Sequence, residues 1–445
     1  MFQGSEIYGG LKGTWDLGPL GVALNNNIKR EWWKMFVDGR EDMYGLDAAI
    51  LMNTKVWEAS GHTGAGFADP MVECKKCNSR FRADHLKKLQ GFIEFIDGVQ
   101  QVIDYTKPNA NYSWTCEVCH TQNKFEPRLF NMMFETTIGA TAGPDGKVYL
   151  RPETAQGIFV NFKNVVDSMS PKIPFGIAQI GKAFRNEIAP REFLFRVREF
   201  EQMEIEYFVK EDEWAKQFEV WRQELWKWFD HLGLARADVR EFEVPDNDLA
   251  HYSKRTIDFE YNYPSKGFDE LAGFAYRTDH DLKSHMAASG TSLEYIEADG
   301  TRFIPHVLEP SFGVGRAITA ALCAAYTEDE MNGEVRTYLK LPVHLAPYRV
   351  AVSPLLKNKP ELVSKAREVF TLLKKEFGNV AYDDNSNVGK RYRRQDEIGT
   401  PYCIVIDFDT LGEEVPAHKD TVTVRHRDTG EQVRVEIAKL VEYLK

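Results

Sequence analysis

The order of the predicted elements constrains the fold most strongly, and this order changes near the segment 342–347. Before it, alternating apolar and polar residues predict strands, including 43–52 and several within 258–310. Stretches of helical periodicity interrupt these strands: 19–36, 152–170, 211–232 and 313–326. After it, single strands and helices alternate: strand 349–352, helix 360–377, a short strand at 380, helix 389–398, strand 402–406, a hairpin turning at 428–430 and a last helix. Two different patterns in one chain predict two domains, the second with a mixed sheet covered by helices.

Composition and charge narrow the class of protein. The 445 residues are 43% hydrophobic and 28% charged, which suits a globular chain that needs no disulfides. No run of about 18 apolar residues exists, and the first residues lack a basic segment followed by an apolar one. We therefore expect a cytoplasmic protein without membrane contact. The net charge of −11 argues against non-specific nucleic-acid binding, but residues 340–445 carry 18 Lys/Arg against 16 Asp/Glu.

Four of the six cysteines form two pairs, Cys74-x-x-Cys77 and Cys116-x-x-Cys119, with 38 residues between them. In a long chain that we expect in the cytoplasm, such pairs favour metal over disulfides. They predict a tetrahedral zinc site with a structural role, because four thiolates leave no open position. The alternative is four unpaired thiols or a site that has lost its metal, since the gap is longer than a compact ribbon uses.

Two polar segments predict a nucleotide site. From Phe184 to Glu204, two alternating strands joined by a loop would place Arg185, Glu187, Arg196 and Arg198 on one sheet face. Arginine forks bind phosphate oxygens, a carboxylate accepts from an adenine amino group, and an aromatic ring stacks on a base. The alternative is a solvated, salt-bridged hairpin.

The second segment runs from Glu309 to Arg316 and leads into an apolar helix. Its glycines allow close backbone approach to a ligand, and a helix N-terminus attracts phosphate. The alternative is a plain turn before the helix.

Together the two segments resemble motifs 2 and 3 of class II aminoacyl-tRNA synthetases, and residues 5–61 resemble motif 1 of that class. More closely, eight segments between residues 4 and about 408 resemble glycyl-tRNA synthetases of the homodimeric type: GSEIYGG, GPLGV, VWEASGH, LRPETAQGIF, QIGKAFRNE, REFEQMEIEYF, EPSFGVGR and GKRYRRQDEIGTP. Eight segments in the right order are far more specific than any one of them.

The resemblance implies an α+β fold with two domains. Residues 1–340 would form the class II catalytic domain, with an antiparallel sheet flanked by helices. Two insertions are expected in it, the cysteine-bearing 70–127 and a helical 208–260. Residues 341–445 would form a mixed α/β anticodon-binding domain. The implied partners are glycine, glycine tRNA and a second copy of the chain.

The resemblance also implies an ATP site with Mg²⁺. Arg185 and Arg316 are the implied catalytic residues: Arg185 contacts the α-phosphate, and Arg316 holds the triphosphate tail with Arg196. Glu187 accepts from the adenine amino group, and Phe200 stacks on the base. The other residues implied at this site are Asn186, Phe195, Val197, Arg198, Glu199, Glu270, Leu271, Gly313, Val314 and Gly315.

The implied glycine site is rich in carboxylates. Glu153, Glu201 and Glu309, with Ser311, would surround glycine, whose ammonium is its main handle for recognition. Larger amino acids would be refused by shape, because their Cβ would collide with the wall. The other residues implied here are Arg82, Phe200, Gln202, Met203, Glu204, Pro310, Phe312 and Gly313.

Three departures from the family pattern and two rival functions remain. Thr54 stands where motif 1 usually ends its strand with proline, and Ala272 stands where the family often has glutamate. Relatives usually carry a short helix before motif 1, and this sequence begins at that motif, which leaves a truncated start open.

One rival function is that of a non-catalytic nucleic-acid clamp, which we would expect to lose the ATP arginines. The other is a synthetase for a different amino acid, which the glutamate-rich segments oppose.

The basic cluster Lys390, Arg391, Arg393 and Arg394 either contacts the tRNA anticodon stem or is a solvated helix face.

Overall fold

The structure is a computed structural model that describes residues 1–64, 67–86, 89–91, 95–96, 99–100, 107–139, 146–331 and 333–445. Its first elements, up to residue 150, are β1 (Phe2–Gln3), β2 (Trp15–Asp16), α1 (Pro19–Trp33), β3 (Met43–Gly45), α2 (Thr54–Ala59), β4 (Ala68–Glu73), β5 (Arg80–Arg82), β6 (Leu89–Gly91), β7 (Phe95–Ile96), β8 (Val99–Gln100), β9 (Asn109–Thr115), β10 (Gln122–Phe125), β11 (Arg128–Asn131), β12 (Phe134–Thr137) and β13 (Lys147–Leu150).

The next elements, up to residue 339, build the largest sheet. They are α3 (Ala155–Met169), β14 (Phe175–Phe184), β15 (Glu199–Val209), α4 (Trp214–His231), β16 (Val239–Glu243), β17 (Arg255–Tyr263), β18 (Gly267–Thr278), α5 (His280–Ser289), β19 (Tyr295–Ile296), β20 (Arg302–Phe303), β21 (His306–Gly313), α6 (Val314–Ala325), β22 (Tyr326–Met331) and β23 (Glu334–Leu339). The strand order is β16-β17-β18-β21-β15-β14-β3, and every neighbouring pair is antiparallel except β14 with β3. The predicted α+β class, with its antiparallel sheet, is confirmed.

The two faces of this sheet have different partners. On one face Met203, Ile205 and Tyr207 of β15 share a buried apolar cluster with side chains of α1, α4 and α6. The aromatic stripe of α4 belongs to this cluster, with Phe218, Trp221 and Trp228 fully buried. Because side chains alternate along a strand, Gln202, Glu204 and Glu206 point to the other face. There α3 and α5 cover the end near Phe208.

The sequence predictions were wrong in several places. The strand predicted at 43–52 ends at Gly45, because the Ala48 carbonyl accepts from Arg151 Nη1 instead of continuing the sheet. The interval 258–310 contains the helix α5 between its strands. That helix turns the polar side chains of Asp281 and His285 inward, so its sequence lacks the apolar stripe that marks a helix. The hairpin β22–β23 was not predicted.

The stretch 208–260, expected as a helical insertion, is helical only in part. It contains α4, but β16 and the first part of β17 extend the main sheet at its edge. Alternation in β17 buries Ile257, Phe259 and Tyr261 against the same core that α4 covers. The helix and its flanking strands therefore belong to one layered unit.

The remaining residues form a second sheet with its own core. The elements are β24 (Val350–Pro354), α7 (Pro360–Phe377), β25 (Val380–Tyr382), α8 (Val388–Glu397), β26 (Tyr402–Ile406), α9 (Phe408–Leu411), β27 (Thr421–His426), β28 (Gln432–Glu436) and α10 (Leu440–Tyr443). The order is β25-β24-β26-β27-β28, with β24 parallel to both neighbours and the last two pairs antiparallel. The predicted mixed sheet is confirmed. No helix in the described part of the chain is long and apolar enough to cross a membrane.

A buried ionic network joins the hairpin β22–β23 to this second sheet. Arg336 of β23 donates from Nε and Nη2 to Asp329 and from Nη1 to Asp396 of α8 and to the Arg427 carbonyl. Arg425 of β27 donates from both terminal nitrogens to the same Asp396 carboxylate, at 2.8 and 2.9 Å. We call Arg336, Asp396 and Arg425 the joint network. It fixes the C-terminal sheet against the hairpin.

Candidate active site

A cavity of about 470 Å³ lies on the open face of the main sheet. Strands β15, β18 and β21, the loop before β15 and the start of α6 form its walls. Most residues that the sequence predicts for ATP and glycine line it: Arg82, Glu153, Arg185, Glu187, Phe195, Arg196, Val197, Phe200, Glu201, Gln202, Glu204, Glu270, Leu271, Glu309, Ser311, Gly313, Gly315 and Arg316.

The other predicted residues do not line this cavity: Asn186, Arg198, Glu199, Met203, Pro310, Phe312 and Val314. Met203, Phe312 and Val314 are buried in the apolar cluster on the opposite face. The places of Met203 and Phe312 follow from strand alternation, because a contiguous motif on a strand can turn only about every second side chain toward one face, and Val314 is the first residue of α6. Glu199 is exposed and pairs with Lys182 at 2.8 Å.

Two charged residues of the same motif have partners elsewhere. Glu201 borders the cavity, but its carboxylate accepts from Asn25 and Lys29 of α1, at 3.0 and 2.8 Å. Arg198 donates to the carbonyls of Lys12 and Glu187 and so ties the N-terminal segment to the loop. These partners engage both side chains, and the implied roles of Glu201 at glycine and of Arg198 at the ATP site stay predictions.

One end of the cavity is lined by arginine and aromatic side chains. Arg185 donates from Nε to the Pro152 carbonyl, and its guanidinium lies 5.5 Å from the centre of the Phe200 ring. Its terminal nitrogens have no protein acceptor within the described ranges. Arg316 lies over the Phe195 ring at 4.4 Å and pairs with Glu270 at 2.8 Å. The Arg316 charge lowers the pKa of Glu270 against the effect of burial.

Buried carboxyls line the other end. Glu204 accepts at one oxygen from the Thr154 backbone and hydroxyl, and at the other from Ser311 and Gln202, both at 2.9 Å. Glu309 accepts from Arg277 Nη1 at 2.9 and 3.0 Å. Burial raises the pKa of Glu309 to about 8, although Arg277 opposes this shift. Burial and then the charge of Glu153 also raise the pKa of Glu204.

Glu153 is held in the ionised form. Its carboxylate lies 3.2 Å from His62 Nε2 and accepts from Gln156. Burial opposes ionisation, but the charges of His62 and Arg277 outweigh it and lower the pKa of Glu153. His62, which the sequence analysis did not assign to the site, therefore supports a predicted site residue.

Sequence reasoning missed several residues behind this wall. Arg277 donates from Nε and Nη2 to Asp281 and from Nη1 to Glu309. Glu206 is fully buried, and neither of its oxygens has a hydrogen-bond partner in the described part of the chain. One signal could have found Glu206, since carboxylates two residues apart on a strand share a face. Arg277 lies on β18 far from the recognised motifs, and no local pattern singles it out.

The four cysteines of the two pairs come together. Their sulfur atoms all lie within 4.8 Å of one another, with 3.5 Å between Cys74 and Cys119 and 3.6 Å between Cys77 and Cys116. Four thiolates around zinc would be about 3.8 Å apart at the usual Zn–S distance. Each pair is followed by a residue with positive φ, Asn78 at 57° and His120 at 56°, so the two turns have matching backbone. The donor set and spacing fit zinc.

The same cysteine-bearing segment brings Arg82 to the cavity. Arg82 lies at the end of β5 and donates to Asp69 at 2.6 Å and to Asp84 at 2.7 Å. Met71 of β4 pairs with Arg82 in the small sheet β11-β4-β5. The fold around the cysteines thus fixes one residue of the cavity wall.

The basic cluster of α8 is mostly used inside the C-terminal domain. Arg391 is 3% exposed and donates to the backbone carbonyls of Pro354, Asp384, Asn385 and Ser386. Arg394 pairs with Asp383 at 2.7 Å. Neither interpretation of the cluster from the sequence holds for Arg391, which is a packing residue.

Comparisons with known proteins agree with this geometry. The protein family described as "tRNA synthetase class II core domain (G, H, P, S and T)" matches residues 141–325, and the family described as "Anticodon binding domain" matches residues 349–445. The glycine–tRNA ligase of Caldanaerobacter subterraneus subsp. tengcongensis is 48% identical over 451 residues, which cover 100% of this chain and 95% of that protein. The chain belongs to the glycine–tRNA ligase family. Two further glycine–tRNA ligases cover the whole chain: that of Clostridium tetani at 48% identity over 95% of its own length, and that of Geobacillus thermodenitrificans at 49% over 94%. The sequence resemblance to this family, and to class II synthetases, is thereby confirmed.

Proposed function

We propose that the cavity joins glycine to ATP and that the chain then transfers the glycyl group to glycine tRNA. The observation that supports this most is the division of the cavity, with arginines at one end and buried carboxyls at the other. A triphosphate fits the first end and an ammonium group the second. The glycine carboxylate would lie between them and attack the α-phosphorus in line, giving glycyl-adenylate and pyrophosphate.

No general base is needed for this step, because a carboxylate is already a nucleophile. Catalysis would come from positioning and from stabilising charge on the phosphates. Arg185 would contact the α-phosphate with its free terminal nitrogens. Arg196 and Arg316 would hold the triphosphate tail, while Phe200 stacks on adenine and Glu187 accepts from its amino group. A clamp without activity is not favoured, since Arg185, Glu187, Arg196 and Arg316 all line the cavity.

Magnesium would bind at the triphosphate end. Glu270 offers a carboxylate there, and Asp258 lines the same wall. Burial, and next the charge of Glu270, raise the pKa of Asp258 to about 7, although the charge of Arg316 opposes this shift. Carboxylate and phosphate oxygens are ligands that Mg²⁺ prefers.

Glycine would be recognised by its ammonium group. Glu153, Glu204 and Glu309 surround that end, and the Ser311 hydroxyl already donates to Glu204. Arg82 would complete the rim. Glu201 has no part in this arrangement, because α1 holds its carboxylate on the other side of the strand.

Three finer points also belong to this proposal. The cysteines would hold one structural zinc ion, which would keep Arg82 in place. The C-terminal domain would bind the anticodon end of the tRNA. The active form would be a homodimer, which a single chain of 445 residues suits. The cytoplasmic location stays a prediction.

The first experiment is amino-acid-dependent exchange between pyrophosphate and ATP, with each of the twenty amino acids supplied separately. Exchange with glycine alone, followed by charging of glycine tRNA, is the expected result. Folded protein that shows no exchange with any amino acid would overturn the proposal.

A matched pair of variants tests the ammonium role. Glu309→Gln should raise the KM for glycine about 10- to 100-fold while the KM for ATP changes little, because one charged hydrogen-bond partner is lost. Glu41→Gln, at an exposed position outside the cavity, is the control and should leave both constants near wild type. Equal effects of Glu309→Gln on both substrates would count against the role.

Metal analysis tests the zinc proposal. The purified chain should contain about one zinc ion, and Cys116→Ser should lose it. Less than a tenth of an ion per wild-type chain would end this part of the proposal.

A further inference from the structure

Glu206 is the feature of the wall that the proposed mechanism does not use. Its side chain is 0% exposed, and neither oxygen has a hydrogen-bond partner among the described residues. A buried carboxyl without partners is costly when neutral and far more costly when ionised. Its place beside the amino-acid site therefore calls for an explanation.

The strand register places Glu206 against Glu309. β15 and β21 pair Glu204 with Ser311 and Tyr207 with Leu308, which sets Glu206 directly opposite Glu309 on the face that carries the site. Directly opposite side chains in antiparallel strands have Cβ atoms about 4.5–5.5 Å apart. On the other side of Glu206, the neighbour in β14 is the apolar Ile177.

Among the described residues no cation forms an ion pair with Glu206, although the charge of Arg277 acts on it. The groups that act on Glu206 or on its partner are Glu204, Glu309, Arg277, Asp281, Glu153 and Tyr252. Arg277 donates from Nε and Nη2 to Asp281 and from Nη1 to Glu309, and it makes no hydrogen bond to Glu206. Burial first, and then the charge of Glu309, raise the pKa of Glu206 well above its usual range.

We propose that Glu206 is the protonated member of a Glu206–Glu309 pair and is a positioning residue for glycine. Two carboxyls at opposite positions of a buried wall cannot both ionise at low cost, so Glu206 keeps its proton when Glu309 ionises. With glycine bound, Glu309 has released its proton and the pair carries one negative charge, which matches the single ammonium of the substrate. The neutral Glu206 also offers the only O–H group opposite Glu309 on β15, which can orient the Glu309 carboxylate. This inference rests on the proposed role of Glu309.

Two substitutions at one position separate charge from polarity. Glu206→Gln keeps the size, a donor and an acceptor, and should leave the KM for glycine within about threefold of wild type. Glu206→Leu removes the polar group and should raise that KM about tenfold or more, with the KM for ATP unchanged. Thermal unfolding of both variants checks that they are folded. A rise in KM with Glu206→Gln as large as with Glu309→Gln would mean that Glu206 is ionised and would overturn the proposal, and so would an unchanged KM in folded Glu206→Leu.

Infrared spectroscopy reads the proton directly and does not depend on activity. The spectra are recorded at a pH about one to two units above the pKa of Glu309, which is about 8. At that pH, wild type and Glu309→Gln should still show a carboxylic-acid C=O band that Glu206→Gln lacks. An identical band in wild type and Glu206→Gln would contradict the protonated state. If glycine exchange failed in the wild type but the band behaved as expected, the proposed function would fail while the proton assignment stood.

Discussion

Buried arginines occur in two regions of this molecule, and their surroundings differ. In the joint network, Arg336 and Arg425 share the Asp396 carboxylate, and Arg336 also has Asp329 and a carbonyl. In the active-site wall, Arg277 is the one buried arginine that pairs with carboxylates among the described residues, and it faces more carboxyls than it can neutralise.

This difference distinguishes a network that stabilises the fold from one that is suited to bind a ligand. A network in which each charge has its partner holds two parts of a protein in one arrangement. A network with surplus carboxyls and unpaired donors is poised for a ligand that supplies the missing charge. Arg391 and Arg185 repeat the contrast: the first donates to four carbonyls, while the second has terminal nitrogens without a protein acceptor within the described residues.

The largest effect on stability should come from breaking the joint network. Asp396→Ala leaves the buried Arg425 without its carboxylate and removes one of the two carboxylates of Arg336, so it should lower the free energy of unfolding of the C-terminal domain by about 3–5 kcal/mol. Denaturant titration followed by hydrogen exchange in that domain measures the change. Glu414→Ala, at an exposed position, is the control. An equal decrease in the free energy of unfolding in both variants would contradict the comparison.

Arg185→Ala should have the largest effect on catalysis with little effect on stability. Loss of a donor aimed at the reacting phosphate should lower glycine-dependent exchange about 10²- to 10³-fold. The control is Arg191→Ala, on the same loop, where the side chain is 52% exposed. Near-normal exchange by Arg185→Ala would remove the assignment, and a collapse of the unfolding midpoint would make Arg185 a structural arginine like Arg391.

The surplus of buried carboxyls should make glycine binding depend on pH. Glycine binding favours ionised Glu309, whose pKa burial raises to about 8 in the free protein, so binding releases a proton. The KM for glycine should therefore fall as pH rises from about 6 to about 8, by up to about tenfold per unit. Glu309→Gln should lose this slope, and a slope that persists in the variant would assign it to another group.

The raised pKa of Glu309 affects stability in the opposite direction from glycine binding. The folded protein keeps the Glu309 proton between the ordinary carboxyl pKa of 4.5 and about 8, whereas the unfolded chain has released it. This group's contribution to the free energy of unfolding therefore declines as pH rises through that window. Glu309→Gln should remove this part of the decline, which denaturant titration at several pH values measures.

The smallest effect should separate two neighbours in the basic cluster. Lys390→Ala, at an exposed position, should change the free energy of unfolding by less than about 0.5 kcal/mol. Arg391→Ala should cost about 1–3 kcal/mol, because it removes the donor to four backbone carbonyls, of which that of Pro354 is buried. If Lys390 contacts tRNA, its variant alone should raise the KM for tRNA without changing glycine exchange. Similar unfolding curves for the two variants would show that burial of Arg391 does not matter.

Several parts of the fold follow from local sequence pattern. α7 begins at Pro360 and ends at Phe377 as the periodicity predicts, and the stripe of α4 packs into the core. Helical and strand periodicities are local properties, so one stretch of chain is enough to reveal them. α5 was missed because its inward face is polar, so it shows no apolar periodicity. The partners of that face, Gln156 and Arg277, lie on other elements and cannot be recognised from the local sequence.

The sequence by itself determined the family, the two-domain α+β pattern, the four clustered cysteines and the set of charged residues available to the site. Only the tertiary structure decided which of those residues meet. It turned Glu201 toward Lys29, used Arg391 for carbonyls within the C-terminal domain, and set Glu206 opposite Glu309. The physical reason is that the partner of a charged side chain depends on sheet register and on packing between distant segments, whereas periodicity reports only which face a residue shares with its near neighbours.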